Sequence, residues 1–123
     1  MRLSTRRIAE TKGWPIRATI TAVSTGFEKG HMESPDPYTG DGLAETFEAL
    51  FVNAGKLAYP VPTVYAGFNA ESHWAKEWGV SVIRHRSNLA EGFEIEHPAD
   101  CIGDTGAACG PFLVGTAAIG IEK

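Results

Sequence analysis

Between Gly103 and Gly120 the chain turns on glycine and then runs through residues of which only Asp104 is charged. Gly103-Asp104-Thr105-Gly106-Ala107-Ala108-Cys109-Gly110-Pro111 opens as a turn, and Phe112, Leu113, Val114, Ala117, Ala118 and Ile119 follow. A helix that is apolar on every side has to be covered on every side, so the pattern predicts a helix buried over most of its surface. Ala107, Ala108 and Cys109 permit close packing. Pro111 is tolerated only in the first turns, where its missing N–H costs no helical bond. The start of such a helix leaves N–H groups unpaired at the positive end of the dipole, which suits Asp104 or a bound anion. The simplest account is a core helix with a capping aspartate; the functional account places any chemistry at that mouth.

The remainder reads as alternating strands and helices. Arg2, Arg6, Arg7, Lys12 and Arg17 make the amino-terminal end locally basic, and their alternation with Leu3 and Ile8 suits a solvated helix face. Ile16 to Phe27 is rich in β-branched residues and predicts a strand. From Gly26 to Gly42 the glycines and prolines predict a long irregular connection, with Met32 and Tyr38 available to pin it. Asp41 is placed to cap a helix carrying Leu43, Phe47, Leu50 and Phe51 at helical spacing, ended by Asn53 and Gly55. Pro60 and Pro62 frame a second strand, Val61 to Phe68, whose apolar run suits a sheet covered on both faces. Asn69 or Ser72 is placed to cap the next helix, on which Trp74 and Trp78 share a face. Phe93 and Ile95 alternate with Glu94 and Glu96, the signature of an edge strand. That order predicts an α/β fold with a parallel sheet.

A chain of 123 residues, 43% hydrophobic and 21% charged, fits one domain spanning 1–123. The formal charge of -4 argues against nucleic acid as a partner, because binders of the phosphate backbone concentrate positive charge. No run approaches the ~20 apolar residues of a membrane span and no leader pattern opens the chain, so a cytoplasmic protein without a membrane partner is expected. Cys101 and Cys109 make no disulfide framework, and His97, Cys101, Asp104 and Cys109 match no short metal-ligand spacing, so neither metal nor cofactor is expected. His73 and His85 read as surface or helix-end histidines, and His31 as a loop residue without an evident partner.

Residues 103–111 are similar, position by position, to the Gly-Asn-Thr-Ser-Ala-Ala-Ser-x-Pro motif of ketoacyl synthase III-type enzymes, and the order of elements resembles the carboxyl-terminal half of that thiolase-like superfamily. The resemblance implies a layered thiolase-like half-domain, a small mostly parallel sheet flanked by helices. It also implies that the Ile16 to Phe27 strand would leave an open sheet edge and that the chain forms oligomers. The departures bear on activity. The family's nucleophilic cysteine lies in the half that this chain does not resemble, and Val64-Tyr65-Ala66-Gly67-Phe68-Asn69 lacks the histidine found after the corresponding strand. Asp104 occupies the position of a histidine or asparagine, and a carboxylate gives a thioester oxygen no hydrogen bond unless protonated. Cys109 could serve as a nucleophile near a helix start, but it falls where the family has a small serine, which favours packing.

The candidate catalytic residues carried over are therefore Asp104 and Asn69, with Gly103 and Gly106 as candidate substrate-binding positions. The expected function is a non-catalytic half-length scaffold or subunit of an acyl-processing assembly. The alternatives are an acyltransferase subunit whose cysteine comes from a partner chain and a small acyl-binding module. The expected partners are a second copy or a separately encoded cysteine-bearing half, together with acyl carrier protein or acyl-CoA.

Overall fold

A computed structural model describes residues 2–31, 33–69 and 71–121. It is a mixed α/β structure with helices α1 (Arg6–Thr11), α2 (Asp41–Ala54), α3 (Ser72–Arg84), α4 (Ala99–Ile102) and α5 (Cys109–Gly120), and strands β1 (Val61–Tyr65) and β2 (Leu89–Glu96). Short 3-10 turns at Arg86–Asn88 and Gly106–Ala108 lead into β2 and α5.

The two strands are parallel, with Val61 opposite Leu89 and Thr63 opposite Glu94, and an irregularity between them. Parallel strands need a crossover, and α3 supplies it. Phe93 and Ile95 are half-buried while Glu94 and Glu96 are exposed, so the alternation read from the sequence holds on this edge strand. Trp78 joins α3 to one face of the sheet, its ring 6.1 Å from Phe68 and 6.3 Å from Phe93. It also meets Phe47 of α2 at 6.1 Å. Trp74 shares that helix but is 42% exposed. On the opposite face of the sheet α5 packs against β1. α2 packs against α3.

Several helix ends differ from the sequence expectation. Gly40, not Asp41, is the N-cap of α2; Asp41 is the first helical residue and its carboxylate meets Arg84 at 2.6 Å. A left-handed φ of 75° at Gly40 turns the chain into the helix, a conformation that Asp would adopt at greater cost. Glu71, rather than Asn69 or Ser72, is the N-cap of α3 and makes no side-chain cap bond. His85 is the helix-end histidine that the sequence allowed: it ends α3 half-buried, and its Nε2 lies 2.9 Å from the Ala44 carbonyl of α2. His31 has neighbours in its loop, its Nδ1 accepting the Glu33 N–H at 3.3 Å. In α1, Thr5 Oγ1 accepts the Ile8 N–H, and the basic residues are solvated as expected, with Arg6 facing Glu10 at 3.9 Å and Arg2 4.1 Å above the Trp14 ring.

The largest correction concerns Ile16 to Phe27, which forms no strand. A β-branched run becomes a strand only when a second backbone completes its ladder, and among the described residues no strand pairs with it. It follows α2 instead. Asn53 Nδ2 donates to the Val23 carbonyl at 3.2 Å, and Glu28 accepts the Gly42 N–H at 2.8 Å, so the segment runs antiparallel to that helix. Ile16, Ile20, Val23 and Phe27 stay 43–73% exposed. The connection that follows is irregular as read, and Tyr38 pins it: its hydroxyl donates to the His73 carbonyl and its own carbonyl accepts from Lys76 Nζ. Met32, the other expected pin, lies outside the described residues.

The helix expected to be buried on most sides is the second correction. α5 forms, but none of its residues is buried. Ala9, Ala44 and Leu89 are the buried apolar residues among those described, and Glu77 and Ser81 the buried polar ones. Among the described residues no helix is long and apolar enough to cross a membrane.

Candidate functional site

The motif that opens α5 closes over the end of β1. Beyond Tyr65 the Ala66 N–H still bonds to the Glu96 carbonyl at 2.8 Å, which carries the strand direction on to Gly67. A Cβ at Gly67 would lie 2.7 Å from Cys109 Sγ and 3.5 Å from Leu113 Cδ1. Only a glycine lets the strand exit pass so close to α5. Ala66, Gly67, Ile102, Asp104, Cys109 and Phe112 are among the residues around a narrow cleft there, with about 10 Å³ of free space. That is room for about one water and no acyl chain.

Gly103 (φ 73°) and Gly106 (φ 54°) hold the left-handed backbone that folds the motif. Between them Asp104 Oδ1 accepts the Gly106 N–H at 2.7 Å, closing an Asx-type turn. Asp104 therefore does not cap α5. The N-cap of that helix is Ala108, without a side-chain bond, and the 3-10 turn Gly106–Ala108 separates it from the aspartate. Cys109 is the first residue of α5 rather than a position inside it. Its thiol is free, as is the exposed thiol of Cys101.

Of the candidate positions, Gly103 and Asp104 line the cleft, whereas Gly106 and Asn69 do not. Asn69 Oδ1 is buried and has no hydrogen-bond partner among the described residues. Such an atom costs roughly 1–3 kcal/mol unless a ligand or water satisfies it, which makes Asn69 the polar group most in need of a partner. Among the described residues no three histidine, cysteine, aspartate or glutamate side chains converge as metal ligands.

Sequence reasoning missed three arrangements. At α4, His97 Nδ1 lies 2.8 Å from Asp100 Oδ2, and the imidazole ring packs against Phe68 at 5.6 Å. The His-Pro-Ala-Asp spacing could have signalled this pair, because residues three apart meet across a helical turn. A wider groove of about 500 Å³ runs between α2 and α3, with Glu45, Glu48, Phe51, Arg84 and His85 in its walls. It lies away from the motif, and two of its polar groups are already engaged, Arg84 by Asp41 and His85 by Ala44. The third is Glu77, 8% exposed, whose carboxyl is raised above its ordinary value by burial and then by the charge of Glu28. The same burial, with the charges of Glu77 and Glu28, pushes the Tyr38 phenol up to about 12. No short-range pattern announces this group, which forms only because the loop after Glu28 returns to α3.

As arranged, Asp104 acts as a hydrogen-bond acceptor and the Cys109 thiol fills space against Gly67. No family model, curated protein or solved structure matches the chain.

Proposed function

We propose that this chain is a non-catalytic relative of the carboxyl-terminal half of thiolase-like condensing enzymes, serving as a scaffold or subunit of an acyl-processing assembly. The observation that carries the reading is the state of the motif cleft: its carboxylate is folded onto the Gly106 N–H, and the adjoining space holds about 10 Å³. Thioester chemistry needs donors aimed at the developing oxyanion and a space for the acyl group. The layered half-domain belongs to the same proposal and is supported by the parallel pair, the crossover helix and the flanking helices. In such an assembly acyl carrier protein or acyl-CoA would be bound chiefly by the other subunit.

One observation favours a second reading, an acyltransferase subunit completed by a partner's cysteine. The unpaired Oδ1 of Asn69 marks an amide whose oxygen is available to a ligand's donor group. Incubation of the purified chain with acetyl- and malonyl-thioesters, followed by release of free thiol, tests the first reading. The expected rate equals that of the protein-free control, and release by the isolated chain overturns it. Release that requires a separately encoded cysteine-bearing half, and that falls in Asn69→Ala, establishes the second reading.

A further inference from the structure

We infer that the connection from Glu28 to Gly40 is a proton-controlled latch on α3, closed while the Glu77 carboxyl beneath it is neutral and opening when that carboxyl ionises opposite Glu28. Such a device is independent of any acyl-processing assembly, since none of its residues lines the motif cleft.

Close backbone contact builds the latch. Gly30 and Gly40 near its two ends are buried, as is Gly42 just beyond it. A Cβ at Gly40 would lie 3.1 Å from Glu77 Cα and 3.4 Å from Val80 Cγ2, so the connection rests its backbone directly on α3 at Glu77. A Cβ at Gly30 would overlap the Pro37 carbonyl, so the two arms of the connection press against each other. Glu28 fastens them: its Oε1 accepts the Gly30 N–H at 3.1 Å and its Oε2 the Gly42 N–H at 2.8 Å. The Tyr38 hydroxyl donates to the His73 carbonyl, and Lys76 Nζ to the Tyr38 carbonyl. Contacts at His73, Lys76 and Val80 thus flank Glu77, which is left 8% exposed.

The groups around Glu77 decide its charge. From the connection it meets Glu28 and the Tyr38 phenol, and from its own helix His73, whose Nε2 lies 3.5 Å from Glu71. The basic residues of α3 are engaged elsewhere, Lys76 by the Tyr38 carbonyl and Arg84 by Asp41 at the start of α2. Burial, and after it the charge of Glu28, raises the Glu77 carboxyl above 4.5, against the smaller opposing effects of the Tyr38 bond and His73. Both Glu28 oxygens already accept N–H bonds, so the proton that keeps the two carboxyls compatible sits on Glu77. Tyr38, pushed up to about 12, remains a donor at every pH below that and is not the switch. While Glu77 keeps its proton no second charge opposes Glu28, and the latch stays closed. Once it is lost, two carboxylates share a poorly solvated site, and exposing Glu77 to water relieves both.

The connection is the part that yields. It has no regular structure, and His31, Glu33, Pro35, Asp36 and Pro37 are exposed. α3 is held far more firmly, because Trp78, the residue after Glu77, packs its ring against Phe47, Phe68 and Phe93. Opening therefore gives up the bonds at Tyr38 and Lys76 and leaves the contacts of α3 with α2 and the sheet in place, the condition for local rather than global unfolding.

Limited trypsin digestion of the full chain tests the latch, because Lys29 is the one lysine or arginine between Glu28 and Gly42. Cleavage after Lys29, divided at each pH by that of a free peptide of the same sequence, is expected to rise about tenfold between roughly pH 5 and pH 8, while cleavage after Lys76 and Arg84 in α3 does not change. In Glu77→Gln, which has no proton to lose there, the Lys29 rate is expected to stay at its acid value. Because Glu77→Gln could fail to fold, the carboxyl ¹³C shift of Glu77 in the parent chain supplies a second arm, and its titration midpoint is expected to coincide with that of Lys29 cleavage. A Lys29 rate independent of pH overturns the latch, as does a rise that persists in Glu77→Gln or two midpoints about one pH unit or more apart. A rise shared by Lys76 and Arg84 overturns it too, since the whole fold would then be opening. None of these readouts involves a thioester, so the latch and the acyl-processing reading fail separately.

Discussion

Gly67 shows how one missing methyl sets the geometry beside the motif. A side chain there would meet Cys109 Sγ at 2.7 Å, closer than carbon and sulfur approach without displacement. Gly67→Ala is expected to cost about 1–3 kcal/mol in urea unfolding, the usual penalty of overpacking. Adding Cys109→Ala removes the opposing sulfur, so the double variant should recover much of that loss, and a double-mutant cycle measures the coupling. Additive effects would show that the two residues do not share this space. Glu77 acts through protons rather than volume. Burial raises its carboxyl above the ordinary 4.5, so the folded chain keeps a proton where the unfolded chain has released it. Stability from this group is complete below 4.5 and is lost as pH rises through the raised value. Asp41 has the opposite sign. Bonds from Thr39 and Arg84 lower it below 3.8, so its contribution is present above that value and is lost as pH falls through the lowered one. Glu77→Gln cannot ionise, and its melting temperature relative to the parent is therefore expected to rise progressively from pH 4 to pH 8. A constant difference across that range would exclude the proton linkage.

Among the elements, those with a local cause were legible in the sequence. Phe47 and Phe51 recur at helical spacing in α2 and stack 6.1 Å apart, and Glu94 and Glu96 alternate outward from β2. The Gly103-Asp104-Thr105-Gly106 turn was equally readable, since Asp104 bonds to a backbone N–H two residues on. What failed depended on partners that a one-dimensional pattern does not contain. Ile16, Ile20 and Val23 dictate an extended backbone, but pairing requires another strand, and the described chain offers the segment only the side of α2. Similarly, the composition of α5 gave its helical state correctly and its burial incorrectly, because composition states what a helix needs and not whether the chain supplies it. Nor could spacing show that Cys109 would face Gly67, or that Glu28, Tyr38 and Glu77 would meet, since both arrangements join distant parts of the chain.

The sum of these shortfalls is a polypeptide that exposes 8909 Å², more than the roughly 6,400 Å² usual for a folded chain of 13.2 kDa. Hydrophobic burial scales with area removed from water, at about 25 cal/mol per Å², and it must exceed a conformational entropy cost that each ordered residue adds. With Ala9, Ala44 and Leu89 as its buried apolar residues among those described, a separate chain has little margin. If the subunit proposed above pairs with a second copy, folding and pairing form one equilibrium. For a two-state dimer each tenfold rise in protein concentration adds about 1.4 kcal/mol of apparent stability. Spread over the unfolding entropy of two chains of 123 residues, that corresponds to a melting temperature about 3 °C higher per tenfold. Scanning calorimetry over a hundredfold concentration range is expected to show this rise. A melting temperature independent of concentration would mean that the folded monomer is sufficient on its own.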